Sequence, residues 1–186
     1  MFLKIFLLKI GQFVKSSGST RRRQVALGAP RAGDRREGTV YIVETSKNSQ
    51  NVYGKIRLRG EKSGEYFGAS LLSMDINKYG FDDLIVGSPL YTHVEQSKST
   101  VGYEEGKISI YTINNRNSDS FDQKYVRYGP GGPGARFGAA LVDLGDLDED
   151  GYGDFAVGAP FEENGKGVVR LYYGQKDIAQ IRGKYF

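Results

Sequence analysis

The chain repeats one sequence pattern at a spacing of about 70 residues. Each copy begins with Phe-Gly, at Phe67-Gly68 and at Phe137-Gly138, continues through an aspartate-rich loop, and ends with an apolar run and Gly-Ser-Pro or Gly-Ala-Pro. A partial third copy ends in the Gly-Ala-Pro of residues 28–30. Because one small unit cannot bury its apolar face alone, such units stack on their neighbours, so the repeat predicts an array of similar modules.

The loop of the second full copy predicts a calcium site. It places carboxylates at loop positions 1, 3, 5 and 9 and a glycine, Gly151, at position 6. Alternate positions of a tight loop point to one side and direct several oxygens at one hard cation, while the glycine permits the turn and position 7 offers a backbone carbonyl. The predicted ligands are Asp146, Asp148, Asp150, Tyr152 and Asp154.

The loop of the first full copy has the same spacing but fewer charges. Position 3 is a neutral amide and position 5 is a tyrosine, so two aspartates stand where the second loop has four. Ligand charge tunes calcium affinity, and the second loop is therefore predicted to bind more tightly. The predicted ligands of the first loop are Asp75, Asn77, Tyr79, Phe81 and Asp83. An ordinary Asx-type turn that has lost its ion remains an open alternative for this loop.

The residues after each loop exclude an EF-hand and indicate strands. Position 12, where an EF-hand carries its bidentate glutamate, is Val86 in the first loop and Val157 in the second. Short runs rich in Val, Ile, Tyr and Phe alternate with Gly, Asn, Ser and Asp clusters throughout the repeat region, and no segment sustains a helical period. The sequence therefore predicts an all-β fold in which each loop joins two strands.

Together, Phe-Gly, the D-x-[DN]-x-x-G-x-x-D loop and Gly-[AS]-Pro resemble the FG-GAP repeat of integrin alpha subunits, from about Gln24 to the C-terminus. This resemblance implies a seven-bladed β-propeller of four-stranded antiparallel blades, with calcium in the hairpin loops of the later blades. The chain would then hold about two and a half blades of a partial propeller. Phe67 and Phe137 would pack between adjacent blades.

On this basis the chain divides into four parts. Residues 24–62 are the C-terminal part of one blade, 63–133 a complete blade with its calcium loop, and 134–186 a second blade with a calcium loop and the start of the next. Residues 1–23 are interpreted as a non-propeller segment, either a degenerate signal peptide or an artefact of a truncated gene product. Their apolar stretch is interrupted by Lys4 and Lys9 and falls short of the ~20 residues that span a bilayer.

Catalytic and nucleic-acid functions find little support in the composition. The chain has no cysteine and one histidine, His93, which excludes Cys-His nucleophiles, zinc clusters and disulfides. The net charge of +4 comes largely from basic residues clustered between 21 and 36, with little aromatic interleaving. We interpret this cluster as a solvated basic loop and predict neither an enzyme nor a nucleic-acid-binding protein.

The resemblance implies a calcium-binding cell-adhesion receptor on the extracellular side of the cell surface. Such a subunit pairs with an integrin beta subunit and binds extracellular matrix or cell-surface ligands, and its membrane anchor would lie in parts absent from this sequence. Two alternatives stay open: another secreted FG-GAP propeller, lectin-like or phospholipase-associated, and an intracellular calcium-binding scaffold. The lack of cysteines and of N-x-[ST] sequons favours the scaffold, whereas the blade sequences favour the receptor.

The ranking of the two loops predicts how single substitutions affect calcium binding. Asp150→Ala is expected to cost more calcium affinity than Asp75→Ala, because the second loop carries the larger ligand charge. Calcium titration of the two variants beside the wild-type chain measures the difference. A larger loss with Asp75→Ala would contradict the ranking.

Overall fold

A computed structural model of the chain describes residues 6–7, 23–45, 52–93, 102–112, 121 and 123–185. Within these ranges the protein consists of three four-stranded antiparallel sheets, and consecutive strands lie side by side in each. This architecture confirms the predicted all-β, partial β-propeller fold. No helix in the described ranges has the length and apolar character needed to cross a bilayer.

The strands follow one another through the sheets in chain order. The first sheet comprises β1 (Phe6–Leu7), β2 (Arg23–Ala29), β3 (Thr39–Thr45) and β4 (Val52–Arg59). The second comprises β5 (Ser70–Met74), β6 (Asp83–Ser88), β7 (Lys107–Thr112) and β8 (Gln123–Tyr128). The third comprises β9 (Ala140–Gly145), β10 (Asp154–Ala159), β11 (Val168–Tyr172) and β12 (Gly183–Tyr185). Two short helical turns, Glu162–Gly165 and Ile178–Gln180, flank β11.

The two ends of the described chain lie in the outer sheets. Phe6 and Leu7 pair with Gly28 and Leu27 of β2, so two residues of the N-terminal segment form an edge of the first sheet. At the other end, β12 pairs with β11 as the fourth strand of the third sheet. The boundaries drawn from the sequence stay predictions, and most of residues 1–22 fall outside the described residues.

The middle strands are buried on both faces because sheets pack against one another. All six residues of β6 and all six of β7 are buried. Burial on both faces explains why β6 contains the unbroken apolar run of residues 84–86. In β7 apolar and polar residues alternate, and the polar Lys107 and Ser109 are buried as well. By contrast, β9 is largely exposed.

The apolar residues form two clusters, one on each side of the second sheet. One cluster includes Val40, Ile42 and Phe67, and the other includes Ile108 and Phe137. Both phenylalanines of the Phe-Gly pairs are fully buried, at 1% and 0% exposure. Burying an aromatic side chain of this size contributes about 1.5–3 kcal/mol to folding. The two phenylalanines therefore stabilise the hydrophobic core and have no catalytic or binding role at the loops.

Glycines let the backbones of neighbouring sheets come together. A Cβ atom on Gly28 would lie 2.2 Å from the carbonyl oxygen of Gly68, and a Cβ on Gly87 would lie 2.2 Å from that of Gly138. Within its own sheet each Phe-Gly glycine donates a hydrogen bond: Gly68 N–H to the Gly87 oxygen at 3.0 Å, and Gly138 N–H to the Gly158 oxygen at 3.1 Å. The Phe-Gly and Gly-[AS]-Pro signatures are therefore two sides of one contact that repeats from sheet to sheet.

A buried ion pair also ties the second sheet to the turn that precedes it. Lys107 Nζ lies 2.8 Å from a Glu61 carboxylate oxygen and 3.3 Å from one of Glu65, and the Lys107 and Glu65 side chains are fully buried. The ammonium lies 4.0 Å from the centre of the Tyr91 ring. Burial raises the pKa of Glu61, but the hydrogen bonds from Lys107 and Lys124 outweigh it and lower the pKa to about 2.

The repeated glycine contact yields a matched pair of substitutions. Gly87→Ala is expected to destabilise the chain by about 1–3 kcal/mol or more, because its methyl group would overlap both the Gly138 oxygen of the neighbouring sheet and the Ser70 hydroxyl of its own sheet, which would have to move. Gly158→Ala occupies the same motif position, but its nearest atom is 3.3 Å away and belongs to its own sheet, so a change of about 1 kcal/mol or less is expected. Urea unfolding measures both variants, and equal losses would show that the contact between sheets is unimportant.

Candidate metal centre

The second aspartate-rich loop connects β9 to β10 and is shaped by its backbone conformation. Glu149 and Gly151 have positive φ angles of 60° and 89°, which fold the loop back on itself. A bulge precedes the loop, since Asp154 pairs with Gly145 while the next residue, Phe155, pairs with Asp143. Asp154 opens β10 and is buried, so the loop begins at the exposed Asp146 and ends in the core.

Three aspartates of this loop converge. One carboxylate oxygen each from Asp146, Asp148 and Asp154 lies within 4.8 Å of those of the other two. In the part of the chain that the structure describes, no other group of three acidic, histidine or cysteine side chains meets this spacing. The arrangement offers one small volume to which three anionic oxygens have access.

Backbone N–H groups hold two of these carboxylates in position. Gly151 N–H donates to Asp146 at 2.8 Å, and Leu147 N–H donates to Asp154 Oδ2 at 2.7 Å. The other oxygen of Asp154 accepts a hydrogen bond from Gly174 N–H at 2.8 Å. The loop thus positions its acidic groups before any ion is added, which reduces the ordering that binding would require.

The sequence pattern gave no sign of Gly174, which follows β11 and lies 20 residues beyond Asp154. Its neighbours Tyr172 and Tyr173 contain nothing of the loop motif. Only the pairing of β10 with β11 brings its N–H to the site. The sequence signal that could have found Gly174 is its position in the turn after β11, the strand that pairs with β10.

The other two predicted ligands of this loop, Asp150 and Tyr152, are not among the three converging side chains. The Asp150 carboxylate accepts a hydrogen bond from Tyr152 N–H at 2.9 Å and does not belong to the converging group. The predicted contribution of a Tyr152 carbonyl oxygen stays a prediction. The structure therefore brings together three of the four carboxylates that the spacing pointed to.

Mutual repulsion marks the electrostatics of the second loop. Partial desolvation raises the pKa of Asp148, and the charges of Asp150, Asp154 and Asp146 raise it further. In the unfolded chain Asp148 loses its proton near its ordinary pKa of 3.8, whereas in the metal-free fold it keeps the proton to a higher pH. The free energy of unfolding therefore falls as pH rises from 3.8 to the raised pKa. At neutral pH this penalty is fully present, and a bound cation would remove it.

The donor set fits a hard divalent cation. Calcium binds six to eight oxygen ligands in total, which come from carboxylates, carbonyls and water. The converging group supplies three carboxylates and no nitrogen or sulfur. Residues Asp146, Asp148 and Asp154 would hold the ion, which would supply charge neutralisation and rigidity to the loop.

The first loop, between β5 and β6, has the same backbone and shares two backbone-to-carboxylate hydrogen bonds with the second, those of Gly80 N–H and Ile76 N–H. Lys78 and Gly80 have φ angles of 60° and 82°, matching the equivalent positions of the second loop. Both oxygens of Asp75 accept hydrogen bonds, from Tyr79 N–H at 3.1 Å and Gly80 N–H at 2.7 Å. Tyr79 N–H also lies 3.2 Å from the Asn77 amide oxygen. These are the contacts of an Asx-type turn, which the sequence left open as an alternative.

The remaining predicted residues of the first loop lie close to the core. Asn77 and Asp83 are buried, Phe81 is half-buried, and Asp83 Oδ2 accepts from Ile76 N–H at 3.2 Å. The Tyr79 side chain is 44% exposed. Because position 3 is Asn77 and position 5 is Tyr79, the first loop forms no group of three converging acidic side chains among the described residues, and its occupancy by calcium stays a prediction.

The stacked four-stranded sheets and their repeated loops define a segment of an FG-GAP β-propeller, and a family model described as FG-GAP repeat matches residues 138–172. The chain is 37% identical to integrin alpha-PS2 of Drosophila melanogaster over 83% of its length, and 39% identical to integrin alpha-PS3 of the same species over 89%. It is 32% identical to integrin alpha-2 of Bos taurus over 93%. These similarities confirm the resemblance: the chain is an FG-GAP repeat segment related to integrin alpha subunits. It spans 10% to 14% of the length of these relatives.

The raised pKa of Asp148 predicts two opposite effects of one substitution. Asp148→Asn should leave the metal-free protein at least as stable as wild type at pH 7, because it removes a repelled charge. The same change should weaken calcium binding by about tenfold or more, because it removes an anionic ligand. Thermal melts in EDTA and calcium titration measure the two effects. Asp143→Asn, with the same charge change outside the converging group, serves as control; a destabilised Asp148→Asn protein with unaltered calcium affinity would contradict the assignment.

Proposed function

We propose that this chain is part of the calcium-binding propeller head of an integrin-alpha-type cell-adhesion receptor. In this role it is not an enzyme, it lies on the extracellular side of the cell surface, and it pairs with a beta subunit to bind matrix or cell-surface ligands. The observation that carries the proposal is the convergence of Asp146, Asp148 and Asp154 in a chain 32% to 39% identical to integrin alpha subunits over most of its length.

The position of the loop supports a structural role for calcium. Asp154 opens β10 and is bound to Gly174 N–H beyond β11, so an ion held by Asp154 and the exposed Asp146 would connect the loop to two strands of the third sheet. Its charge would offset the repulsion that raises the Asp148 pKa. Calcium would therefore rigidify the loop and stabilise the blade, and extracellular calcium is concentrated enough to fill sites with dissociation constants of roughly 10⁻⁴ to 10⁻³ M.

The chemistry outside the loop supports binding rather than catalysis. His93, the one histidine, stacks against Tyr128 with ring centres 4.3 Å apart, and the chain contains no cysteine. Two deeply buried charges, Lys107 and Glu65, pair with each other and tie the second sheet to the turn that precedes it. These groups support the packing of blades, which suits a rigid scaffold that presents surfaces to partners.

Calcium-dependent thermal stability of the full chain tests the metal part of the proposal. Calcium should raise the melting temperature of the wild type, and the double variant Asp148→Ala/Asp150→Ala should lose this rise. Glu149→Gln is a matched control, because it removes an exposed charge from the same loop at a position not predicted to bind the ion. A double variant that keeps the whole calcium response would refute the site.

The receptor part is tested by the complete transcript of the source organism. We expect further Phe-Gly, aspartate-loop and Gly-Ala-Pro copies around this segment and a membrane-spanning helix towards the C-terminus. Co-expression of that full-length product with the beta subunit of the same organism should then give a complex that purifies intact. A transcript without further copies or a membrane helix would contradict the receptor role while leaving calcium binding untouched.

A further inference from the structure

The two aspartate-rich loops are in direct backbone contact. A Cβ atom on Gly153 of the second loop would lie 3.0 Å from the carbonyl oxygen of Asp75 in the first. A Cβ on Gly174, whose N–H binds Asp154, would lie 2.9 Å from the carbonyl oxygen of Ile76. Glycine at both positions permits this approach, so the first loop forms one wall of the second.

Lys78 extends from the first loop onto the second. Its Nζ lies 2.5 Å from the position that a Cβ on Gly151 would occupy, and 6.0 Å from the centre of the Tyr152 ring. Gly151 is the residue whose N–H binds Asp146, one of the three converging carboxylates. The ammonium group is therefore a positive charge at the edge of the candidate calcium site, supplied by the neighbouring blade.

The turn itself does not require a cation at this position. The equivalent residue of the second loop is Glu149, which has the same φ angle of 60° as Lys78. Both residues sit at loop position 4, in the left-handed conformation, yet their side chains carry opposite charges. The contact with the second loop, rather than the local conformation, is what distinguishes Lys78.

We propose that Lys78 regulates the calcium affinity of the second loop from outside it, an inference that rests on the proposed calcium site. In the metal-free state the ammonium offsets part of the repulsion among Asp146, Asp148 and Asp154. In the calcium-bound state the dication cancels two of the three negative charges, so the same ammonium is attracted to the site less strongly. A group shifts a binding equilibrium only when it interacts differently with the two states, and Lys78 favours the metal-free state over the calcium-bound one.

Removing the Lys78 charge should weaken the metal-free fold and strengthen calcium binding, and these opposite effects distinguish regulation from simple packing. Lys78→Met keeps most of the aliphatic side chain but removes the charge, so it should lower the melting temperature in EDTA and tighten calcium binding by roughly threefold to tenfold at low ionic strength. Raising the salt concentration should shrink both changes, because Lys78 is exposed and the Debye length falls from about 10 Å at 0.1 M to about 3 Å at 1 M. A purely structural role would weaken the fold and calcium binding together.

The experiment combines calorimetric calcium titration with thermal melts in EDTA for the full chain and four variants. Lys78→Met is compared with Lys78→Arg, which keeps the charge and should stay near the wild type. Lys166→Met controls for the change in net charge. It removes an exposed lysine from the connection between β10 and β11, at the opposite end of the third sheet from the second loop. Asp148→Ala provides the reference for a damaged site.

Each outcome bears on a different claim. Tighter calcium binding and lower metal-free stability in Lys78→Met alone would support the regulatory role. Calcium binding in the wild type with unchanged or weaker affinity in Lys78→Met would overturn it and leave the calcium site standing. An equal tightening in Lys166→Met would also overturn it, since net charge would then be the cause. If the wild type binds no calcium, the proposed function fails first and this inference fails with it.

Discussion

The close approach of backbones between neighbouring sheets is the constraint on which the rest of the structure depends. Gly28 meets the carbonyl of Gly68, and Gly87 meets that of Gly138, at distances that leave no room for a side chain. Because the same carbonyl-bearing glycines are hydrogen-bonded within their own sheets, the spacing of one sheet is transmitted to the next. The two apolar clusters, which include Phe67 and Phe137, fill the space that this spacing leaves.

The close approach of neighbouring sheets also brings the two aspartate-rich loops into contact. The second loop lies against the first through Gly153 and Gly174, and receives the ammonium of Lys78 at Gly151. A loop that carries several like charges is costly to hold together in isolation. The Leu147 N–H of the loop and the Gly174 N–H beyond β11 both donate hydrogen bonds to Asp154, and the neighbouring blade places the Lys78 ammonium nearby. The converging carboxylates belong to one hairpin, while its surroundings include the adjacent blade.

The sequence was sufficient to predict features that repeat or are local. The all-β class followed from the short apolar runs between turn clusters, the propeller followed from the resemblance to FG-GAP repeats, and the convergence of Asp146, Asp148 and Asp154 followed from their alternate spacing. Contacts between strands distant in sequence were not accessible in this way, because no local pattern reports which turn faces which loop. Gly174 and Lys78 belong to this class, and so does the separation of Asp150 from the converging group, which depends on its hydrogen bond to Tyr152 N–H.

The most direct measurement is a crystal structure of the chain grown with calcium, with anomalous scattering used to locate the ion. We expect an anomalous peak within 2.3–2.6 Å of oxygens from Asp146, Asp148 and Asp154, with Lys78 displaced from its contact with Gly151 or lying at the edge of the coordination sphere. The first loop should show a weaker peak or none. A protein saturated with calcium that shows no ion at the second loop would contradict the assignment of this loop as the principal metal site.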